Sequence, residues 1–308
     1  MNQPSWQARM LSVAIQVAVR RENWGPERTL ARRARFILGA PRPYSWLRSR
    51  GVTIRPGSHS RIRGEWIHPA TPNRGVILYV HGGGFVSCSA ATHRPITSRL
   101  SRETGCSIFA VDYRLAPEHR YPAALDDVVT AYQWLIERID PKSLAVAGDS
   151  AGGGLTLSLL VRARDEGLPL PACSLCLSPW VDLSGGSPSL KTNNGRCAMF
   201  RPRNIPDFAS AYLGSTSPRE PYASPVFADL AGLPPLLLQV GSTELLLSDA
   251  ERTHEKIQAS GGVSELQVFR EMFHGWHMLD GIVPEAGRAF GDMALFLRQH
   301  TDLGGAAK

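Results

Sequence analysis

The sequence lacks the features that define several large classes of protein. None of its 308 residues lies in a run of ~18 consecutive apolar residues, the length that a membrane-spanning helix requires. The apolar stretch 10–19 is interrupted by Ser12 and Gln16, has no small-residue cleavage site and is followed by two arginines. A surface helix therefore explains this stretch better than a signal peptide does. We therefore expect a protein without a membrane span. No internal repeat is visible in the sequence either.

Cysteine is scarce, and the five residues are an odd number. A disulfide framework is therefore not expected, and a reducing compartment, the cytoplasm, fits this composition better. Cys173 and Cys176 form a C-x-x-C pair, but no second pair follows at the spacing of a zinc site. We interpret both cysteines as core residues and predict neither a metal ion nor a cofactor.

The net charge of +7 is unevenly distributed along the chain. Residues 1–50 contain ten arginines and two glutamates, a net charge of +8, so the remainder sums to about −1. Arg28, Arg32 and Arg35 are interleaved with apolar residues, which is typical of a helix with a solvated basic face. Binding to nucleic acid or to an anionic membrane surface is the alternative, and we expect no nucleic-acid partner.

Apolar runs with the length of strands alternate with amphipathic helices along most of the chain. With 43% hydrophobic residues, the chain is large enough for one α/β domain with a substantial core. The alternation predicts a mostly parallel, doubly wound sheet flanked by helices. The predicted strands are 52–55, 62–68, 76–80, 107–111, 143–147, 172–178, 236–240 and 265–269, and the main helices are 123–138, 155–164, 247–259 and 284–299.

Two segments depart from this alternation. Residues 1–50 are predicted to form a mostly helical arm whose three tryptophans must pack against something. Residues 180–225 are rich in glycine, serine, proline and asparagine, with aromatic residues interspersed. Because insertions of this length are usually functional, we interpret this segment as part of a lid that the arm joins.

A glycine-rich turn between a predicted strand and a predicted helix carries the strongest catalytic signal. Gly148-x-Ser150-x-Gly152 follows the strand 143–147 and precedes the helix 155–164. In this context G-x-S-x-G forms a nucleophile elbow, a tight turn that exposes the serine hydroxyl above the sheet edge. The serine also stands at a helix N-terminus, where free N–H groups favour a developing negative charge.

A second glycine loop follows the apolar strand 76–80. Residues 81–85 have the sequence His-Gly-Gly-Gly-Phe, and such a loop exposes backbone N–H groups. In hydrolases with a nucleophile elbow, an HGGG loop supplies half of the oxyanion hole. The N–H of the residue after the nucleophile, here Ala151, supplies the other half. We expect His81 to order the glycine loop by hydrogen bonding.

A serine nucleophile needs a base, and the base needs an orienting acid. In proteins with this elbow the acid precedes the histidine along the chain. The loop after the predicted strand 236–240 offers Glu244 and Asp249. We favour Glu244 for its position in the loop, because Asp249 follows Ser248 at a helix start, where capping accounts for it. Asp182 is a weaker third candidate.

The base is expected in the loop after the last strand, 265–269, because the carboxyl ends of parallel strands open onto one crevice. That loop holds His274 and His277, and we favour His274, with His277 as the alternative. Asp149, beside the elbow, is interpreted as a structural hydrogen-bond acceptor. The remaining histidines are interpreted as surface or packing residues: His59, His68, His93, His119, His254 and His300.

Three motifs occur together and in order: residues 81–85, Asp-Tyr-Arg-Leu-Ala-Pro-Glu at 112–118 and Gly-Asp-Ser-Ala-Gly-Gly at 148–153. With them the chain resembles the bacterial hormone-sensitive-lipase-like esterases, family IV of the α/β-hydrolase superfamily. The resemblance covers the chain from about residue 60 to its end, whereas the arm matches weakly.

The resemblance implies an α/β-hydrolase fold, with residues 51–308 as the catalytic domain. Residues 1–50 and an insertion at about 184–220 would form a helical cap over an acyl pocket. The family also suggests a homodimer formed through the edge strand, here 265–269.

The resemblance also implies Ser150 as the nucleophile and His274 as the base. The family's acid is usually aspartate, whereas this chain has Glu244. Because other members of the superfamily use glutamate, we expect the triad to be intact. The donors implied for the oxyanion hole are Gly83, Gly84 and Ala151.

The implied activity is that of a serine carboxylesterase that hydrolyses small esters with short to medium acyl chains. One alternative is a deacetylase or amidase of the same fold, acting on an acetylated small molecule. Another is a non-catalytic binding protein, because plant gibberellin receptors resemble this family but have a broken triad. The presence of both Ser150 and His274 argues against that second alternative.

Overall fold

The apolar runs of the sequence form an eight-stranded sheet in the computed structural model, which describes residues 3–20, 24–25 and 27–302. The predicted α/β-hydrolase fold with a mostly parallel sheet is confirmed. In chain order the strands are β1 (Val52–His59), β2 (Ile62–Pro69), β3 (Val76–Val80), β4 (Ser107–Asp112), β5 (Leu144–Asp149), β6 (Cys173–Leu177), β7 (Leu236–Gly241) and β8 (Ser264–Phe269).

The order in which strands are added to the sheet reverses at β3. The strand order is β1-β2-β4-β3-β5-β6-β7-β8, with β2 antiparallel to both of its neighbours and the other pairs parallel. The chain thus adds β4 on one side of β3 and β5 on the other. Such a switch point opens a crevice at the carboxyl ends of the strands, where ligands of α/β proteins bind. Both glycine loops leave the sheet there.

Helices cover both faces of the sheet. In chain order they are α1 (Trp6–Ala18), α2 (Glu27–Ile37), α3 (Arg42–Arg48), α4 (Arg94–Thr104), α5 (Ala123–Ile136), α6 (Ala151–Asp165), α7 (Ser189–Thr192), α8 (Ile205–Leu213), α9 (Leu247–Ala259) and α10 (Pro284–His300). Successive side chains of a strand point to opposite faces. Ile77 and Tyr79 of β3 accordingly pack with α4 and α10, whereas Leu78 and Val80 pack with α5 and α6. Within the described ranges, no helix combines the length and apolar character needed to cross a bilayer.

Helix α6 begins at Ala151, four residues before the predicted start at 155. The glycines that follow the elbow therefore lie inside its first turn. A Cβ atom on Gly152 would stand 2.0 Å from the carbonyl oxygen of Val80, and one on Gly154 would stand 2.1 Å from that of Trp180. The glycines thus let the helix pack directly against the backbone of its neighbours.

The N-terminal arm is helical, as predicted, but its tryptophans differ from expectation. Trp24 is buried and packs edge-on against Phe208, with ring centroids 5.3 Å apart. Trp6 and Trp46 are instead 68% and 64% exposed. Of the three tryptophans that we expected to pack against something, only Trp24 is buried, because α1 and α3 contact the protein body through other residues.

Cys173 and Cys176 are buried in β6 and belong to different clusters of the core. Two residues three positions apart in a strand point to opposite faces of the sheet. This arrangement agrees with the interpretation of both cysteines as core residues. Burial also raises the pKa of the Cys173 thiol to about 12, so the thiol stays protonated.

Candidate active site

Ser150 occupies the turn between β5 and α6. Its backbone dihedral angles, φ 55° and ψ −121°, are rare for any residue other than glycine. Strain of this kind costs about 1–3 kcal/mol and persists only where the surroundings impose it. Here the Ser150 N–H donates to Leu177 at 2.8 Å, and its carbonyl oxygen accepts from Trp180 at 2.9 Å and from Gly154 at 3.0 Å. The backbone on both sides thus holds the serine in place.

The glycines that flank the serine are required by space. A Cβ atom on Gly148 would lie 2.4 Å from the carbonyl oxygen of Gly152, across the turn. A Cβ atom on Gly152 would meet β3, as described above. The prediction that the turn is too tight for side chains beside Ser150 is confirmed.

His274 lies between Ser150 and Glu244 and contacts both. Its Nδ1 is 2.7 Å from Oε2 of Glu244, and its Nε2 is 2.9 Å from Oγ of Ser150. A carboxylate only accepts hydrogen bonds, so Nδ1 carries the hydrogen of the neutral ring. Nε2 is then unprotonated and accepts the hydrogen bond from the serine hydroxyl. This order of donors suits a ring that removes a proton from Ser150.

Glu244 is fully buried. It stands in the turn after β7, where Oε1 accepts hydrogen bonds from the N–H of Gly241 at 2.6 Å and the hydroxyl of Ser178 at 2.7 Å. Because an unpaired carboxylate is very costly to bury, these contacts offset the burial of Glu244 beside His274.

The HGGG loop lies opposite the serine. Gly83 and Gly84 have φ angles of 116° and 63°, which favour glycine. Among the residues that the structure describes, none accepts a hydrogen bond from the N–H of either glycine. The N–H of Ala151 is in the first turn of α6, where helical N–H groups lack intrahelical partners. The predicted donors are therefore available to a ligand.

His81 orders this loop, as predicted, because its Nδ1 donates to the carbonyl oxygen of Gly82 at 2.7 Å. The ring stacks on Tyr113, with centroids 4.2 Å apart. Burial lowers the pKa of His81 to about 3, so the ring is neutral. Its position in the core excludes it as a rival base.

Asp149 ties the HGGG loop to the elbow. Its Oδ1 accepts from the hydroxyl of Tyr79 at 2.7 Å and from the N–H of Gly82 at 2.9 Å, and its Oδ2 lies 3.2 Å from Nε2 of His93. Burial alone would raise the pKa of this carboxyl group, but His93 and these hydrogen bonds outweigh it and lower the pKa to about 2. The interpretation of Asp149 as a structural acceptor is confirmed.

The alternative acids lie away from His274. Asp249 does not cap its own helix, contrary to the prediction, since Oδ2 accepts from the N–H groups of Val181 and Asp182 at 2.9 and 3.0 Å. It therefore holds the chain that follows β6. Asp182 forms an ion pair with Arg252 at 2.6 Å.

The alternative base, His277, is also occupied elsewhere. It is buried, its Nε2 is 3.2 Å from Oε1 of Gln239, and its ring stacks on Trp276. Burial lowers its pKa to about 3. Of the two histidines in this loop, the structure brings only His274 to Ser150.

Two cavities of unequal size meet at Ser150, and Gly84, Phe200 and His274 border both. The larger chamber encloses about 200 Å³ and the smaller one about 30 Å³. Residues that line the larger chamber alone include Ile15, Val19, Ile37, Leu38, Tyr44 and Met278. Residues that line the smaller chamber alone include Trp180, Cys197, Ile205, Phe208, Leu245 and Leu246.

Sequence reasoning missed two residues of this site. Ser178 follows β6 and holds Glu244, and the rule that strand ends meet at one crevice would have pointed to it. His93 was assigned to the surface or to packing, yet it is buried against Asp149. No periodicity or motif around His93 marks that contact.

A strained serine elbow at a sheet switch point, with a histidine and a carboxylate in line, defines an α/β-hydrolase. Residues 77–278 match the sequence profile of the alpha/beta hydrolase fold. An acetyl-hydrolase of Streptomyces hygroscopicus is 40% identical over 241 residues, which cover 78% of this chain and 81% of that protein. An esterase of Acinetobacter venetianus is 36% identical over 247 residues, 80% of this chain and 82% of that one.

Solved structures agree with these relatives. A crystal structure of EstE5 soaked with p-nitrophenyl butyrate superposes with a TM-score of 0.88 at 35% identity, covering 96% of this chain and 99% of that one. An esterase from the bacterial hormone-sensitive lipase family gives a TM-score of 0.85 at 35% identity, with coverages of 97% and 99%. The chain belongs to the bacterial hormone-sensitive-lipase-like family of α/β-hydrolases, and it is a carboxylesterase.

Proposed function

We propose that Ser150, His274 and Glu244 form a catalytic triad that hydrolyses short- to medium-chain acyl esters through an acyl-enzyme. One observation carries the proposal: hydrogen bonds run without interruption from the buried Glu244 carboxylate through the His274 ring to the Ser150 hydroxyl. A serine hydroxyl becomes nucleophilic when such a base stands within hydrogen-bond reach.

In the first step, Ser150 Oγ attacks the ester carbonyl carbon while its proton passes to His274 Nε2. The carbonyl oxygen becomes an oxyanion that the N–H groups of Gly83, Gly84 and Ala151 bind. Removing one such donor typically raises the barrier by about 2.7–4 kcal/mol. The imidazolium then gives its proton to the departing alkoxide, the C–O bond breaks and an acyl-serine remains.

In the second step, water attacks the acyl-serine after giving a proton to Nε2 of His274. The same imidazolium returns a proton to Ser150 Oγ as the carboxylic acid leaves. Glu244 stays ionised throughout, keeps the hydrogen on Nδ1 and stabilises the imidazolium that forms twice in each cycle.

The two chambers suggest how the ester is divided. We assign the acyl group to the smaller chamber, whose volume of about 30 Å³ is well below the 200 Å³ of the other, and the alcohol part to the larger one. The acetyl-hydrolase among the relatives and the p-nitrophenyl butyrate used with EstE5 support a short acyl group.

Residues 1–50 and 184–220 would act as a cap on the catalytic domain, 51–308. Ile15 and Ile37 of the arm line the larger chamber, which supports this division. A homodimer through β8 belongs to the same proposal, because β8 is the last strand of the sheet. Light scattering during gel filtration tests that assembly.

The triad is tested with Ser150→Ala and with a matched pair of acid variants. Ser150→Ala should abolish hydrolysis of p-nitrophenyl butyrate and should prevent a sulfonyl fluoride from adding mass to the peptide that contains residue 150. Glu244→Gln should lower kcat far more than Asp249→Asn does. Undiminished turnover by Ser150→Ala, or a larger loss in Asp249→Asn, would refute the assignment.

A further inference from the structure

Helix α1 presents a stripe of exposed apolar side chains at the protein surface. Its only charged side chain is Arg9. Ala8 and the half-buried Leu11 and Ile15 pack toward the core. A surface helix ordinarily turns a polar face to water, whereas the outer face of α1 is apolar and is not covered by any of the described residues. This outer face, the α1 stripe, consists of Trp6 (68% exposed), Met10 (64%), Val13 (61%) and Val17 (51%).

Exposed apolar side chains are concentrated in the arm. In the described part of the chain, ten large hydrophobic side chains are exposed, and seven of them lie within residues 6–47. Besides the α1 stripe, these are Phe36 on α2, which is 92% exposed, and Trp46 and Leu47 on α3. Exposed apolar surface of this density marks a site of interaction with a protein or a membrane.

The same helices carry unneutralised positive charge. Arg28, Arg32 and Arg33 of α2 and Arg42 of α3 are exposed, and no carboxylate of the residues that the structure describes pairs with them. By contrast, Arg35 forms an ion pair with Glu118 at 2.6 Å. These four arginines are therefore presented on the same helices as the exposed Phe36, Trp46 and Leu47.

This combination selects among the partners that could cover the arm. A second copy docked symmetrically on the same face would bring the unpaired arginines of the two copies close together. Nucleic acid would match the arginines but would leave the α1 stripe exposed to water. An anionic lipid surface matches both features, because acyl chains accept apolar side chains while headgroups attract arginines.

We propose that α1, α2 and α3 dock the enzyme on an anionic lipid–water interface, with the α1 stripe inserted below the headgroups. Ile15, on the core-facing side of α1, and Val19, which follows the helix, line the larger chamber. Docking would therefore bring the entrance for the alcohol part of an ester close to the lipid phase. The inference goes beyond the proposed hydrolysis, since binding needs none of the triad residues.

The test is co-sedimentation of the full chain with vesicles of phosphatidylcholine alone and with vesicles containing equal parts phosphatidylglycerol. The full chain should bind the anionic vesicles. High salt should weaken binding because it screens the attraction between the arginines and the anionic headgroups. Met10→Ser with Val13→Ser should lower the affinity at least about tenfold, given the apolar area removed. Arg28→Gln, Arg32→Gln and Arg33→Gln together should lower it similarly and remove most of the salt dependence.

Each variant has a matched control elsewhere on the surface. Val263→Ser with Leu295→Ser removes two apolar side chains that are each 53% exposed. Arg63→Gln, Arg74→Gln and Arg298→Gln remove the same charge from exposed sites outside the arm. Both controls should keep vesicle binding, and every variant should still hydrolyse soluble p-nitrophenyl butyrate.

The outcomes separate the candidate partners. Absence of binding to anionic vesicles, or equal losses in the test and control variants, overturns the proposal. Binding of duplex DNA without binding of vesicles assigns the face to nucleic acid. If the protein does not bind vesicles but forms a dimer, and if Met10→Ser with Val13→Ser dissociates that dimer, the face is assigned to a second copy. Ser150→Ala should bind vesicles like the parent, so a failure of the triad leaves this inference standing.

Discussion

The hydroxyl of Ser178 donates a 2.7 Å hydrogen bond to the Glu244 oxygen that His274 does not use. Oε1 of Glu244 thus contacts Ser178, which positions the carboxylate, and Oε2 contacts His274, the proposed base. Ser178 has a φ of 46°, a left-handed conformation that turns the chain at the end of β6. Its side chain lines neither chamber and donates to Glu244, so it acts through Glu244.

Ser178→Ala should therefore lower kcat while leaving KM nearly unchanged. A hydrogen bond to a charged group contributes about 1.5–3 kcal/mol, so we expect kcat to fall by roughly tenfold or more. Steady-state kinetics with p-nitrophenyl butyrate measure the split. Ser174→Ala in β6 is the control, since that buried hydroxyl has no hydrogen-bond partner among the described residues. An equal effect of both substitutions would contradict the positioning role.

Gly152→Ala should prevent folding or destabilise the protein severely. The added Cβ would stand 2.0 Å from the carbonyl oxygen of Val80, a backbone atom that cannot rotate away. We expect a loss of about 3 kcal/mol or more in the free energy of unfolding, measured by urea titration. Gly287→Ala in α10 is the control, because nothing lies within 4 Å of its Cβ position. That control should gain about 0.5–1 kcal/mol, and destabilisation of both variants alike would refute the argument.

Asp249 makes stability depend on pH. Burial, the largest cause, raises its pKa from 3.8 to about 7, so the folded protein binds this proton more tightly than the unfolded chain does. Its contribution to the free energy of unfolding is full below pH 3.8 and is lost as pH rises through about 7. Asp249→Asn cannot titrate but keeps an oxygen for the N–H groups of Val181 and Asp182.

The free energy of unfolding of Asp249→Asn, relative to the parent, should therefore improve steadily as pH rises from about 4 to about 8. Urea titrations across this range measure the difference. Asp229→Asn, at an exposed carboxylate, should show no such trend. Parallel pH profiles for the parent and Asp249→Asn would show that Asp249 is already ionised in the folded protein.

Ile205→Ala should extend the range of acyl chains that the enzyme accepts. Ile205 lines only the smaller chamber, so its truncation makes room where we place the acyl group. One methylene in a pocket changes the barrier by about 1–3 kcal/mol, so kcat/KM for hexanoate relative to acetate should rise about tenfold or more. A series of p-nitrophenyl esters measures this ratio.

Ile37→Ala is the matched control, since the same residue type there lines only the larger chamber. It should leave the acyl series unchanged and alter the preference among butyrate esters of different alcohols. If Ile37→Ala shifts the acyl series and Ile205→Ala does not, the two chambers have been assigned in the wrong order.

The elements that sequence predicts well are those that depend on local constraints. The glycines around Ser150 mark the elbow because a turn between a strand and a helix leaves no space for side chains. Strand bounds agree within a few residues, apart from β1, which continues to His59, four residues past the predicted end. Its half-exposed continuation through Pro56 and Gly57 lacks the apolar alternation that predicts a strand.

The elements that sequence predicts poorly depend on contacts between distant segments. Asp249 was interpreted as a helix cap, yet it binds backbone groups 67 and 68 positions away. Trp6 and Trp46 look like core residues from composition alone, and only the packing direction of α1 and α3 leaves them exposed. Nothing within a local window of sequence specifies such directions.

The two chambers at Ser150 are lined largely by different parts of the chain. Residues of α1, α2 and α3 border only the larger chamber, and Ile205 and Phe208 of α8 border only the smaller one. If one chamber receives the acyl group and the other the alcohol part, different segments of the chain determine the specificity for each part of the ester. Directed evolution could then randomise one segment to change the accepted alcohol and the other to change the accepted acid. The improved variants of the two segments could afterwards be combined in one chain.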